Sequence, residues 1–222
     1  MDYAAARLNM VESQVRTNKV TDPAILGAML EIPRERFVPD GMRGVAYVDD
    51  DVPISGGPIG GVRYLIEPMV HARLLQTAAI EPSDNVLEVG SGLGYGAALL
   101  DRLAARVVAL ESDPALAESA TRTLAALGAA RVTVVRGPLE AGWPAAAPYR
   151  VIVVAGAVQR LPPALEAQLA EGGRMVAVIA PPGEPGKATL IQRIGGVIAR
   201  RVVFDAATAL LPGFAAEPGF VF

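Results

Sequence analysis

The chain has no cysteine among its 222 residues. Disulfide frameworks, thiolate metal sites and cysteine nucleophiles are therefore excluded. A single histidine, His71, rules out a histidine metal cluster. A marked excess of either charge is missing too. The formal net charge is −3 and no Lys/Arg cluster occurs, so the electrostatic footprint of a nucleic-acid binder is missing. The cations are nearly all arginine, with Lys19 and Lys187 as the exceptions, which reads as compositional bias beside the abundant alanine. Long apolar runs are absent as well: stretches such as residues 151–158 fall far short of a membrane span. Met1-Asp2-Tyr3-Ala4 has no basic head leading into an apolar region, so no secretion signal is expected and a cytoplasmic location is. Metal binding is not expected, because the acidic run Asp49-Asp50-Asp51 points its side chains different ways and lacks further ligands. It reads as solvated loop.

What is present is apolar substance: 52% of the residues, enough for a sizeable core. The length suits one α/β domain with an N-terminal extension. Thr21-Asp22-Pro23 is a helix start, a capping side chain followed by proline in the first turn. Ile25, Leu26, Met29 and Leu30 then form the apolar stripe of a one-sided helix, which the prolines of segment 32–39 end. Residues 41–61, rich in Gly, Pro and Asp, read as loop with short strands at most. Another helix is expected over 69–78. From residue 85 onward, β-branched runs at 85–90, 106–111, 131–135, 150–155 and 174–180 alternate with helical stretches at 96–104, 114–127 and 162–170. Continuous apolar runs of this length suit strands buried on both faces, and the alternation argues for a doubly wound, mostly parallel sheet. Gly195-Gly196 between 189–194 and 197–204 signals a hairpin, so the sheet should finish with an antiparallel pair.

The chemistry is concentrated in Glu88-Val89-Gly90-Ser91-Gly92-Leu93-Gly94, between the first strand of this alternation and its helix. Ligands of open α/β sheets bind beyond the carboxyl ends of strands, where backbone must come close, and glycines permit that approach. The nicotinamide fingerprint Gly-x-Gly-x-x-Gly, begun at Gly90, meets Tyr95 where its third glycine belongs; begun at Gly92 it meets Ala97, a tolerated variant. Two acids bear on the choice. Glu111, 17 positions after Gly94, ends the second strand where an acid accepts hydrogen bonds from ribose hydroxyls in either cofactor class. Glu88 favours a ligand carrying an ammonium group, as S-adenosylmethionine does, over a pyrophosphate that it would repel. The plain alternative is an ordinary strand–turn–helix with exposed acids.

Beyond this loop the sequence resembles the protein-L-isoaspartate (D-aspartate) O-methyltransferases over nearly its whole length. The resemblance rests on Met10-Val11-Glu12-x-Gln14-Val15-Arg16, the phrase Ile32-Pro33-Arg34-Glu35-Arg36-Phe37-Val38-Pro39, Ala46-Tyr47-x-Asp49 and Val52-Pro53-Ile54. It continues through Val86-Leu87-Glu88-Val89-Gly90-Ser91-Gly92-x-Gly94-Tyr95, Gly142-Trp143-Pro144 and Leu169-x-x-Gly172-Gly173-Arg174. It implies a Rossmann-like methyltransferase αβα sandwich that transfers a methyl group from S-adenosylmethionine to the abnormal α-carboxyl of isoaspartyl residues in damaged proteins. The product would be S-adenosyl-L-homocysteine. Residues 1–80 would form the N-terminal extension and acceptor region, and 81–222 the cofactor-binding core. Cofactor contacts are expected from Glu88, Gly90, Ser91, Gly92, Gly94, Glu111 and Ser112, with Gly137-Pro138-Leu139 at the adenine end.

Three departures accompany these matches. The family's acceptor-site Thr-Ile-Ser-Gln-Pro corresponds to Tyr64-Leu65-Ile66-Glu67-Pro68, which puts Ile66 at the serine position and Glu67 at the polar position beside it. About five extra residues precede this stretch, including Gly56-Gly57-Pro58 and Gly60-Gly61. The family's Gly-Asp-Gly is Gly137-Pro138-Leu139 here, and Arg150 stands where an aspartate usually precedes the fourth strand. Ser55 is a candidate to replace the missing hydroxyl, and Arg63 beside Tyr64 could clamp a carboxylate bidentately. Glu67 would repel an anionic acceptor and so favours redirection to a different one. His71 and Trp143 are expected to be structural.

Overall fold

The structure is a computed structural model that describes residues 1–55 and 62–215. The extra residues Gly56-Gly57-Pro58 and Gly60-Gly61 lie outside the described residues. Aspartates punctuate the helix starts. Asp2 caps α1 (Tyr3–Met10), Asp22 caps α2 (Pro23–Glu31) and Asp113 caps α5 (Pro114–Ala126), each carboxylate accepting from two backbone N–H groups that have no partner within the helix. Proline occupies the first turn of α2, α3 (Pro68–Ala78) and α5, where its missing N–H costs nothing. The prolines of 32–39 end α2 as expected, although the chain beyond it turns through two tight 3-10 segments, Arg34–Phe37 and Asp40–Val45.

Two strands, β1 (Val52–Ser55) and β2 (Arg63–Leu65), pair antiparallel into a ribbon outside the main sheet. The main sheet comprises β3 (Asn85–Val89), β4 (Arg106–Glu111), β5 (Val132–Arg136), β6 (Tyr149–Val158), β7 (Leu169–Ile179), β8 (Lys187–Ile194) and β9 (Val197–Asp205). Their order is β5-β4-β3-β6-β7-β8-β9, with only the β7–β8 and β8–β9 pairs antiparallel. The sheet is therefore mostly parallel with an antiparallel C-terminal pair. Helices α4 (Tyr95–Leu103) and α6 (Pro163–Ala167) complete the set. Alpha6 is shorter than the 162–170 stretch suggested, because Leu169 and Ala170 are already in β7. Between Leu169 and Arg174 the pairing with β6 is irregular, and Gly172 there has a positive φ of 70°.

Each central strand feeds two cores by alternation. Val86, Val107, Ala109, Val151 and Val153 enter the larger core beneath α2, α3, α4 and the N-terminal segment. Leu87, Val89, Val108, Leu110, Ile152 and Val154 enter the other, with Leu139, Leu165, Leu211 and Phe214. Burial on both faces explains why these strands read as unbroken apolar runs. Glu88 is the exception, an acid on the larger-core side, level with Ala109 and Val153. No helix among the described residues is long and apolar enough to cross a membrane.

Candidate functional site

The site lies where β3 and β4 end beside each other in the parallel ladder. The chain leaves β3 through Gly90, Gly92 and Gly94, all at positive φ (83°, 57° and 95°), a conformation that a side chain would strain. Gly90 N and Ser91 N donate to the Leu110 carbonyl at 2.9 and 3.1 Å, and Gly94 N to the Ser91 carbonyl at 2.8 Å. These bonds fix the turn into α4 before any ligand is considered.

Glu88 and Glu111, on adjacent strands, are 1% and 0% exposed. Their surroundings differ sharply. Glu111 Oε2 accepts from Gly92 N at 2.7 Å, and Oε1 from Ser112 N at 2.8 Å and Asp113 N at 2.9 Å. Both oxygens also accept from the Arg63 guanidinium, Nη1 at 2.6 Å and Nη2 at 3.0 Å. Glu88 Oε2 has no partner. Burial, and next the Glu111 carboxylate, push the Glu88 carboxyl up to about 8, against a smaller pull from the Ala97 N–H. The glycine at 96 is what admits it: a Cβ there would stand 1.8 Å from Glu88 Oε1 and 3.0 Å from His71 Cε1.

His71 is 2% exposed and neither ring nitrogen has a partner. Burial, with the nearby Arg34 charge, holds its pKa down at about 3. It lines the cavity beside Glu88 as a neutral ring. Arg34 is fully buried, its Nε donating to the Ala46 carbonyl and its Nη2 to the Ile66 carbonyl, both at 2.7 Å, with the guanidinium 5.0 Å from the Tyr95 ring centroid. It thereby ties the Tyr64–Pro68 stretch to the N-terminal segment.

The expected acceptor residues lie along the ribbon and the start of α3. The Ile66 side chain is buried, at 3% exposure, and lines the same cavity as Glu88, His71 and Ser91. That cavity is about 10 Å³, room for roughly one water. Ser55 Oγ accepts from Arg63 N at 3.3 Å within the ribbon. Glu67 is half-buried, and burial followed by Asp49, Asp51 and Asp50 raises its carboxyl to about 7. It is consequently a weaker repeller of anions at neutral pH than its residue type suggests. The guanidinium of Arg63, expected to clamp an acceptor carboxylate, is closed on Glu111, and Nη2 also reaches the Gly90 carbonyl at 3.2 Å.

Two features escaped the sequence reading. Asp51 is no solvated loop residue; its Oδ1 accepts from Glu67 N at 2.8 Å and its Oδ2 from Thr208 Oγ1 at 2.7 Å and Ala209 N at 3.0 Å. It clasps the ribbon, the start of α3 and a C-terminal strap together. That strap, residues 206–215, runs beside the end of β6, with Ala157 N donating to the Ala209 carbonyl and Leu211 N to the Ala157 carbonyl, each at 2.9 Å. Leu211 lies on the glycine turn: Cβ atoms at Gly90 and Gly156 would stand 2.8 Å from its Cδ2 and 2.6 Å from its Cγ. Ile54 similarly covers Gly92, with 2.6 Å from a Cβ there to its Cδ1. A leucine at 211 carries no motif, so only its position identifies it.

At the other end, Gly137 N donates to the Glu111 carbonyl at 3.1 Å and Gly137 faces the Trp143 ring. Leu139 is buried and Trp143 packs partly buried in the second core, the structural role expected of it. Arg150 lies on β6, away from this end, and its Nη1 donates to the Glu171 carbonyl at 2.8 Å. Among the described residues no group of three or more His, Asp or Glu could hold a metal.

The residues fit the cofactor that the sequence suggested. An acid with an unpartnered oxygen buried beneath the turn suits an ammonium group, and a carboxylate at the end of β4 suits ribose hydroxyls.

Comparison with known proteins bears on the same chemistry. A family model described as protein-L-isoaspartate(D-aspartate) O-methyltransferase matches residues 6–205. A protein-L-isoaspartate O-methyltransferase of Methylorubrum extorquens (strain PA1) is 44% identical over 182 residues, which are 82% of this chain and 77% of the relative. A solved protein-L-isoaspartate O-methyltransferase superposes with a TM-score of 0.81 at 26% identity, covering 93% of this chain and 66% of the other. The fold also matches a Plasmodium falciparum protein crystallised with S-adenosyl-L-homocysteine, at a TM-score of 0.76 and 19% identity over 95% of this chain and 98% of that one.

Proposed function

Since the chain belongs to the protein-L-isoaspartate (D-aspartate) O-methyltransferase family, we infer that it methylates isoaspartyl carboxyl groups of damaged proteins with S-adenosylmethionine. The observation that carries the reading is the paired-acid cradle, with Glu88 under the glycine turn and Glu111 at the end of the neighbouring strand. In this reading Glu88 holds the cofactor's ammonium, the backbone of Gly90 to Gly94 cradles its methionine part, and Glu111 with Ser112 holds the ribose. Gly137, Pro138 and Leu139 flank the adenine. Residues 1–80 serve the acceptor, and 81–222 the cofactor.

S-adenosylmethionine, when bound, supplies a sulfonium methyl group to the acceptor oxygen. An isoaspartyl carboxylate is already ionised at neutral pH, so the chain needs no general base. His71, buried and with its pKa near 3, does not act as one. What the residues contribute is position and dryness: Ile54, Ile66 and Leu211 close apolar surface over the turn, and Arg34 holds the Ile66 carbonyl. A hydroxyl at the acceptor comes from Ser55 or Tyr64 in place of the serine that Ile66 replaces. Glu67, its carboxyl raised to about 7 by burial and then by Asp49, Asp51 and Asp50, repels an anionic acceptor less at neutral pH than an ordinary glutamate would.

Incubation with labelled cofactor and an isoaspartyl peptide, beside its normal aspartyl twin, tests this. Label on the isoaspartyl peptide alone is the expected result. Label on neither, with good cofactor binding, would overturn the acceptor assignment.

A further inference from the structure

The Arg63–Glu111 pair sits where the cofactor's ribose would have to bind. The bidentate fork, at 2.6 and 3.0 Å, uses both carboxylate oxygens, and both groups are almost fully buried at 5% and 0% exposure. Arg63 also donates to the Gly90 carbonyl at the first residue of the glycine turn. Leu211 lies on that same glycine from the strap side. Two separate parts of the chain thus close on one turn and one carboxylate.

We propose that Arg63 is a built-in competitor for the cofactor, latching the ribose carboxylate shut until the cofactor displaces it. This rests on the S-adenosylmethionine reading and goes beyond it. The partners of each group make exchange feasible. Glu111 keeps three backbone donors, from Gly92, Ser112 and Asp113, when the guanidinium leaves, so its charge is not stranded. A buried ion pair stabilises little on balance, because desolvation offsets most of its attraction. Ribose hydroxyls can therefore take over the two oxygens at small net cost.

The latch couples the two substrates. Arg63 opens β2, and the same stretch continues through Tyr64, Leu65 and Ile66 to Glu67 at the head of α3. Releasing Arg63 from Glu111 frees the N-terminal end of the acceptor stretch, whose other end Arg34 and Asp51 hold through the Ile66 carbonyl and the Glu67 N–H. Cofactor is accordingly expected to bind before acceptor.

The test is titration calorimetry of the full chain with S-adenosyl-L-homocysteine, comparing the unaltered protein with Arg63→Gln and, to retain charge without the fork, Arg63→Lys. Apparent affinity is reduced by the fraction of molecules held closed, so Arg63→Gln should bind about tenfold tighter or more, with Arg63→Lys between the two. Hydrogen exchange gives a second readout. The backbone amides at positions 63 and 211 should exchange faster in ligand-free Arg63→Gln than in the unaltered protein. Equal or weaker binding by a folded Arg63→Gln, or by Arg63→Lys should the glutamine variant fail to fold, overturns the latch alone. Absence of binding in every form, the unaltered protein included, overturns the cofactor reading and the latch with it.

Discussion

At the floor of the site, Glu88 and Glu111 are set by the β3–β4 ladder and by backbone bonds around the glycine turn. Over that floor, the ribbon and the strap are clasped mainly by side chains, Arg63 on Glu111, Asp51 on Glu67, Thr208 and Ala209, and Leu211 on Gly90, with two backbone bonds at Ala157 tying the strap to the end of β6. Backbone ladders form cooperatively with the core and resist local opening. Side-chain clasps between short elements open at far smaller cost. The difference teaches where motion is expected in a methyltransferase that must admit and enclose a cofactor: in the cover, with the floor unmoved.

The largest expected effect comes from breaking the contact between floor and cover on the floor side. Glu111→Ala leaves three buried backbone N–H groups, those of Gly92, Ser112 and Asp113, without their acceptor, and denaturant unfolding should show a loss of about 3 kcal/mol. The asymmetry with Arg63→Gln, which leaves Glu111 its backbone donors, sharpens the comparison. Equal losses in the two variants would mean that the pair is a strut.

Next in size is the pH response of the floor. The Glu88 carboxyl is raised in the folded chain from 4.5 to about 8, so the folded form binds the proton more tightly than the unfolded one. Its contribution to stability is full below pH 4.5 and is lost as pH rises through 8. His71 has the opposite sign: lowered from 6.5 to about 3, it contributes fully above pH 6.5 and loses this as pH falls through 3. Thermal unfolding followed against pH should therefore decline on both sides, and Glu88→Gln should flatten the alkaline decline only. An ammonium group placed beside Glu88 favours its ionised form. Cofactor binding at neutral pH should consequently release a proton, visible as a buffer-dependent heat in calorimetry.

Gly96→Ala forces a methyl group to within 1.8 Å of Glu88 Oε1. A loss of about 1–3 kcal/mol in chemical denaturation is expected, with weaker cofactor binding because the carboxylate must move. The smallest effect is in the cover. Asp51→Ala removes the acceptor of three hydrogen bonds at a half-buried position, and about 1 kcal/mol should be lost. Proteolytic cleavage in the strap should rise in this variant while β3 and β4 keep their exchange protection. Uniform loss of protection across the sheet would contradict the division into floor and cover.

The floor was largely legible in the sequence. The run 85–90 became β3 at Asn85–Val89, and the run 106–111 became β4 at Arg106–Glu111, because strands buried on both faces leave unbroken apolar runs. Glu88 stood out by interrupting such a run, and Glu111 by its place at the end of one. The cover was not legible. Arg63 was expected at the acceptor, yet its partner lies 48 residues away on another strand. Asp51 looked like one of three solvated acids, since no local pattern distinguishes an acid that accepts from distant backbone. Arg34 was visible only as part of a family phrase, because carbonyl partners at Ala46 and Ile66 leave no mark on residue type.

The sequence by itself determined the class of the sheet, the glycine turn, both acids and the kinship with isoaspartyl methyltransferases, since these follow from local periodicity, backbone freedom and motif. Tertiary structure alone decided the strand order, the two different lives of Glu88 and Glu111, and the closing of Arg63 and Leu211 over the turn. Local composition records what a segment can form. Which donor reaches a buried carboxylate depends on the chain returning from elsewhere in space, and that is fixed only when the core has packed.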